Sequence, residues 1–155
     1  MPAETTTIQI GRDVAEALKT ISGGGTYNEA VRKLLLASYK PAASIPFKKT
    51  VPSLEMETEE HRVPHDGIIT RVIMHFPPGC SSLVDVRLLY IEDGKEYYVV
   101  PSIEDKFIAL DAATPVYEPK FPVKQGKILK VEWYNYDDTY SHTISVSAEI
   151  TPKIV

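Results

Sequence analysis

Between Gly67 and Thr151 the chain repeats one pattern: apolar residues at every second position. In Ile68–Phe76, Ile68, Val72, Met74 and Phe76 share one side, and Arg71 and His75 share the other. Val84, Val86, Leu88 and Tyr90 repeat the spacing. So do Leu129, Val131 and Trp133, and then Ile144, Val146, Ala148 and Ile150. Side chains of a strand alternate faces, so each segment predicts a strand with one dry face and one wet face. A single sheet cannot cover its own apolar face, whereas two sheets packed face to face can. The expectation is mainly β: an antiparallel, jelly-roll-like β-sandwich over residues 54–155. Turn signals separate the strands, with Asp93-Gly94 as a tight hairpin and Lys124–Lys127 as a second turn. Phe107–Leu110 reads as a further short strand.

Residues 1–40 are written differently. Thr5–Ile10 alternates, with Ile8 and Ile10 on one side and Thr5, Thr7 and Gln9 on the other. After Gly11 the period changes: Val14, Leu18 and Ile21 form a helical stripe that ends at Gly23-Gly24-Gly25. Thr26, with Glu29 three positions on, predicts an N-cap with a capping box. Ala30, Val31, Leu34 and Leu35 then give a second helix its apolar face, and Pro41 limits that helix to about Tyr39. A segment of this size lies below what a monomeric core normally sustains, so it needs a partner surface.

The order strand, helix, Gly-rich turn, helix resembles the ribbon–helix–helix family of antitoxins and small repressors. The residues that carry the resemblance are Thr6–Ile10, Leu18 with Ile21, and Gly25–Val31. The likeness implies a dimer in which Ile8, Ile10, Val14, Leu18, Val31 and Leu34 are buried between copies. It also implies duplex DNA as a partner. Thr5, Thr7 and Gln9 would then face base edges. Thr26, Tyr27 and Asn28 would meet a phosphate at the helix start, and Arg12 a second one. In one respect the sequence departs from that role: Thr5–Ile10 holds no lysine or arginine, and phosphate neutralisation dominates affinity for DNA.

Pro41, Pro46 and Pro52, with small residues between them, predict a stiff linker over residues 41–53. Leu54–His61 predicts an edge strand with Leu54, Met56 and Thr58 on one side and Glu55, Glu57 and Glu59 on the other.

The net charge of −4 is uneven: residues 1–40 carry +1 and the remainder −5. That excludes a general nucleic-acid coat for the sandwich. No apolar run is long enough for a membrane span. Cys80 is the single cysteine, which excludes an internal disulfide and favours a reducing, cytoplasmic setting.

Chemistry-bearing residues are scattered. His61, His65 and Asp66 lack a third ligand at zinc-like spacing, and Asp137 and Asp138 lack calcium-loop spacing. Cys80 has no activating partner in sequence, and no nucleotide, zinc-protease or serine-hydrolase motif occurs. We expect no enzyme, no metal and no cofactor. The tyrosines are more informative: Tyr136 and Tyr140 fall in one loop, where exposed rings anchor protein interfaces or stack on sugars.

The leading expectation is a small regulator with a DNA-binding head and an oligomerising or sensing sandwich. The alternatives are a structural or assembly protein whose N-terminal element associates subunits, and a carbohydrate-binding module. A loose likeness of the sandwich, carried by its short strands and by Phe76–Cys80, to structural modules of viruses and phages belongs with the assembly alternative.

Overall fold

In the computed structural model, residues 27–38 and 42–153 are described. The chain divides into two compact units, residues 1–40 and 41–155. In the first, helix α1 spans Tyr27–Ser38, with Glu29 in its first turn where an acidic side chain suits the helix dipole. Ala30 is buried, while Val31 and Leu34 are exposed.

The second unit is an antiparallel sandwich. Its strands are β1 (Ala43–Val51), β2 (Met56–Arg62), β3 (Gly67–His75), β4 (Val84–Glu92), β5 (Lys95–Val100), β6 (Val116–Tyr117), β7 (Phe121–Val123), β8 (Ile128–Asn135) and β9 (His142–Pro152). One sheet runs β1-β9-β3-β6, with β7 also on β3; the other runs β2-β8-β4-β5. Most connections pass between the sheets, so the core is closed by crossings and not by local hairpins. Two connections stay within a sheet, β6–β7 and the hairpin β4–β5, whose turn places Asp93 and Gly94 at positive φ, as that dipeptide requires.

Val84, Val86, Leu88, Leu129, Val131, Trp133, Ile144, Ala148 and Ile150 are all fully buried between the sheets, as their alternation predicts. Cys80 joins this core as a small filler; burial, then the charge of Asp111, pushes its thiol up from the ordinary value. Within β3 the alternation breaks. A bulge between Ile69 and Arg71 shifts the register against β9, so Ile69 is buried and Ile68, expected in the core, is exposed. Phe107–Leu110 contributes only an isolated bridge, Ile108 to Val86.

The expected linker over residues 41–53 is corrected: Ala43–Val51 is a full strand paired along β9, and Ile45, Phe47 and Val51 are core residues. Proline is tolerated there because β1 is an edge strand. Its Lys48 N–H points away from β9 and donates to Glu59 Oε2 on β2 at 3.0 Å. Pro46, two residues earlier on the same side, has no N–H to offer. On β2 it is the glutamate side that turns inward: Glu57, Glu59 and His61 are half-buried, and His61 packs edge-on against Phe47 at 4.9 Å.

Candidate interaction site

The residues expected to contact DNA or to dimerise are divided by what is described. Thr5, Thr7, Gln9, Arg12 and Thr26, with Ile8, Ile10, Val14 and Leu18, lie outside the described residues. Tyr27 and Asn28 open α1, and Val31 and Leu34 are exposed on it.

In the sandwich, one end gathers exposed apolar side chains onto three turns. The first is Pro52–Glu55, closed by the Glu55 N–H donating to Pro52 C=O at 3.2 Å. Its third residue, Leu54, has φ 58° and is 67% exposed. That position favours glycine or asparagine, and a leucine there stores strain. The second is Cys80–Leu83, closed by the Leu83 N–H to Cys80 C=O at 2.9 Å, with Ser81 and Ser82 both left-handed. Asp111 Oδ1 fixes it by accepting the Gly79 and Ser81 N–H groups, each at 2.9 Å. Leu83 projects from its end, half in solvent.

The third turn is the loop from Asn135 to His142, which carries Tyr136 and Tyr140, 58% and 67% exposed. Beneath these rings lies a buried polar network. The Asn135 amide donates to the carbonyls of Val51 (3.0 Å), Pro52 (3.2 Å) and Tyr140 (2.9 Å), and its Oδ1 accepts the Asp137 N–H at 2.9 Å. Asp137 Oδ1 accepts from Thr139 N–H and Tyr140 N–H, while Oδ2 meets His142 Nε2 at 2.7 Å. The imidazole, followed by those two amides, holds the Asp137 carboxyl below its ordinary value. This network spends both carboxylate oxygens of Asp137 on its own loop.

Backbone bonds tie the three turns into one surface. Leu54 N–H donates to Asp137 C=O at 3.1 Å, and Tyr136 N–H donates to Leu83 C=O at 2.8 Å. Leu54 and Leu83 thus flank the loop, and Met56, also exposed, follows on β2. The tyrosines were legible in the sequence, but the two leucines were not. Their only trace is an apolar residue beside Pro52-Ser53 and Ser81-Ser82, where a polar one is usual.

Two other groups are structurally spent. On the outer face of the second sheet, the nearly buried Glu132 accepts from Arg87 Nε at 2.6 Å and from Lys130 Nζ at 3.0 Å. The Arg87 guanidinium lies 4.5 Å from the Phe107 ring centroid and 5.6 Å from that of Tyr98, and Leu89 is fully buried on this sheet outside the main core. At the opposite end of the sandwich, a cavity of about 460 Å³ is lined by Asp66, Tyr90, Glu92, Lys124 and Lys153 among others. Lys124 is paired with Glu92 at 2.6 Å, and Asp66 Oδ1 accepts Gln125 N–H at 2.8 Å. Tyr136 and Tyr140 line neither this cavity nor a second one beside Tyr117.

Of the residues weighed as ligands, His61 is bonded to Glu59 at 2.7 Å and His65 Nδ1 to the Asp66 carbonyl at 3.0 Å. No helix among the described residues is long and apolar enough to cross a membrane.

No family model and no curated protein sequence matches the chain. Among solved structures the chain is similar to the Yersinia pseudotuberculosis-derived mitogen YPM, at 10% identity and a TM-score of 0.46, over 74% of this chain and 92% of that one. It is similar to FLHE at 12% identity and a TM-score of 0.38, over 72% of this chain and 98% of that one. It is also similar to the serine protease of Aeromonas sobria at 7% identity and a TM-score of 0.35, over 81% of this chain and 30% of that one.

Proposed function

We propose that this chain is a non-catalytic interaction and assembly protein whose sandwich presents the Leu54–Leu83–Tyr136–Tyr140 end to a protein partner. One observation carries the reading. Large apolar side chains are held in solvent, on backbone that is strained at Leu54 and cross-braced by Asn135 and Asp137. Strain of this kind persists where function requires it. Bracing the loop in advance removes ordering entropy from the cost of binding, and tyrosine is an effective interface anchor. Tyr136 and Tyr140 lie outside both cavities described above, and a protein partner, unlike a small sugar, needs no cavity to enclose it.

Within this reading residues 1–40 associate subunits, and Val31 is exposed on α1. The regulator reading rests on Thr5, Thr7, Gln9 and Arg12 and on the ribbon–helix–helix resemblance alone.

The test is site-specific photocrosslinking in the native host. A benzophenone side chain replaces Tyr136 or Tyr140, with a control at Ser145 on the outer face of the first sheet. Protein adducts are expected at 136 and 140 and not at 145. Equal labelling at all three positions, or none at any, removes the assignment.

A further inference from the structure

An edge strand leaves a row of backbone donors and acceptors open to another chain, and short strands, prolines, charges or a covering element normally close that row. Three edges of this sandwich are closed in these ways. On β1, Pro46 has no donor and the Lys48 N–H is taken by Glu59. β2 lies beside β1, joined to it by the same bond, and carries Glu57, Glu59 and Glu60. β6 and β7 are two and three residues long and sit among Pro115, Pro119 and Pro122.

The fourth edge, β5, is different. It reads Lys-Glu-Tyr-Tyr-Val-Val, without a proline. Both of its charges are answered within the chain. Glu96 meets Lys130 at 2.7 Å, and Lys95 Nζ lies 5.1 Å from the Tyr97 ring centroid. A register shift against β4 at Val99, and then Pro101, end the regular edge.

The hairpin turn decides which groups face outward. Across a two-residue turn, Glu92 and Lys95 form a hydrogen-bonded pair, and bonded and unbonded pairs alternate from there. Tyr90 and Tyr97 are the next bonded pair, so the N–H and C=O of Glu96 and of Tyr98 point away from β4. Among the described residues nothing bonds to them.

Glu96 and Tyr98 flank Tyr97 symmetrically, which makes this edge complementary to itself. In an antiparallel copy centred on Tyr97, Glu96 lies opposite Tyr98 of the copy and Tyr98 opposite its Glu96. Every open donor then meets an open acceptor. Centring on Glu96 would oppose two like charges. Centring on Tyr98 would bring the irregular Val99–Val100 into the pairing.

We propose that β5 pairs with β5 of a second copy about a two-fold axis at Tyr97, joining the second sheets of both copies into one continuous sheet. The contact uses neither the Leu54–Tyr140 end nor residues 1–40, so its failure would leave the proposed function standing.

A few backbone hydrogen bonds hold weakly by themselves, so the experiment traps the contact in the full-length chain. Lys95→Cys, Glu96→Cys, Tyr97→Cys and Tyr98→Cys are made singly and shown folded by circular dichroism. Val116→Cys, exposed on the edge of the other sheet, is the control. In the proposed pairing Tyr97 faces itself in an unbonded pair, where Cα atoms lie about 4.5 Å apart, within disulfide reach. Mild oxidation should give covalent dimer from Tyr97→Cys in about tenfold excess over Val116→Cys and over wild type, whose single thiol is buried. Adding Tyr98→Pro, which deletes an outward N–H, should lower that yield about tenfold, whereas Tyr98→Ala should leave it nearly unchanged. Amide exchange on the wild type, read by NMR, decides the matter even where Tyr97→Cys fails to fold. The Glu96 and Tyr98 N–H groups should become protected as protein concentration rises.

A trapping maximum at another position, equal trapping at Val116→Cys, or equal effects of Tyr98→Pro and Tyr98→Ala would overturn the pairing. So would exchange at Glu96 and Tyr98 that stays fast at every concentration.

Discussion

His142 Nε2 lies 2.7 Å from Asp137 Oδ2, with both side chains buried at the base of the tyrosine-bearing loop. The contact crosses from the loop to the first residue of β9, so it fixes the loop's closing angle as well as its charge. Because the Asp137 carboxyl is depressed in the folded chain, its contribution to stability is present above the unfolded carboxylate value. It is lost as pH falls through the lower, folded value. Thermal unfolding followed from pH 7 to pH 2 should show an acid limb that Asp137→Asn flattens, together with a lower midpoint for the variant at pH 7. Parallel pH curves for the two chains would dismiss the pair as a source of stability.

Leu54 offers a separation of stability from function. Its left-handed backbone costs a β-carbon-bearing residue about 1 kcal/mol, and asparagine tolerates that region better. Leu54→Asn should raise the free energy of urea unfolding by up to about 1 kcal/mol while weakening any partner captured through Tyr136. A variant less stable than wild type would show that the leucine is packed and not strained.

Gly67 is demanded by approach, not by φ. A β-carbon at this position would fall 2.3 Å from Thr151 O and 2.9 Å from Ile150 Cγ2, across the β3–β9 pairing. Backbone cannot yield as a side-chain tip can, so Gly67→Ala should cost about 1–3 kcal/mol. Denaturant titration giving an unchanged midpoint would mean that β3 and β9 separate freely at that end.

Glu132 is the anionic centre of the outer face of the second sheet. Removing it leaves the largely buried Arg87 without its counter-charge, while Lys130 keeps only Glu96, at 2.7 Å. Glu132→Ala should therefore destabilise by about 3–5 kcal/mol, whereas exchanging all three for apolar residues of similar volume should cost little. Equal losses for the single and the triple exchange would assign the effect to lost packing volume.

What was legible in the sequence was what repeats. The β4, β8 and β9 alternations name their inward-facing core residues directly, because that set keeps one phase along each strand, whereas Leu89 and Glu132, buried out of phase, are not named by it. β3 keeps no single phase, and Ile68 and Ile69, both apolar, give no sign of where its bulge falls. β1 was read as linker because three prolines mimic one; only the neighbouring strand decides whether a missing N–H is a defect or an edge. The interaction end was half legible. Tyr136 and Tyr140 stand out in a polar loop, but nothing in the letters Ser-Leu-Glu announces a left-handed leucine. The partner bonds that impose it come from Asp137, more than eighty positions away.

The edge at β1 has a consequence in time. Glu59 protects the Lys48 N–H only once β2 has docked beside β1, which requires both sheets to have formed. Before that, on a nascent or refolding chain, Ala43–Val51 is a run of β-prone residues with its donors open. Pro46 and the paired charges Lys48 and Lys49 act at that earlier stage, because a missing donor and like-charge repulsion need no tertiary structure. The strand is thus guarded twice, by covalent chemistry while the chain is young and by a carboxylate after it has matured. Loss of Glu59 would expose the finished protein, while loss of Pro46 would expose the unfinished one.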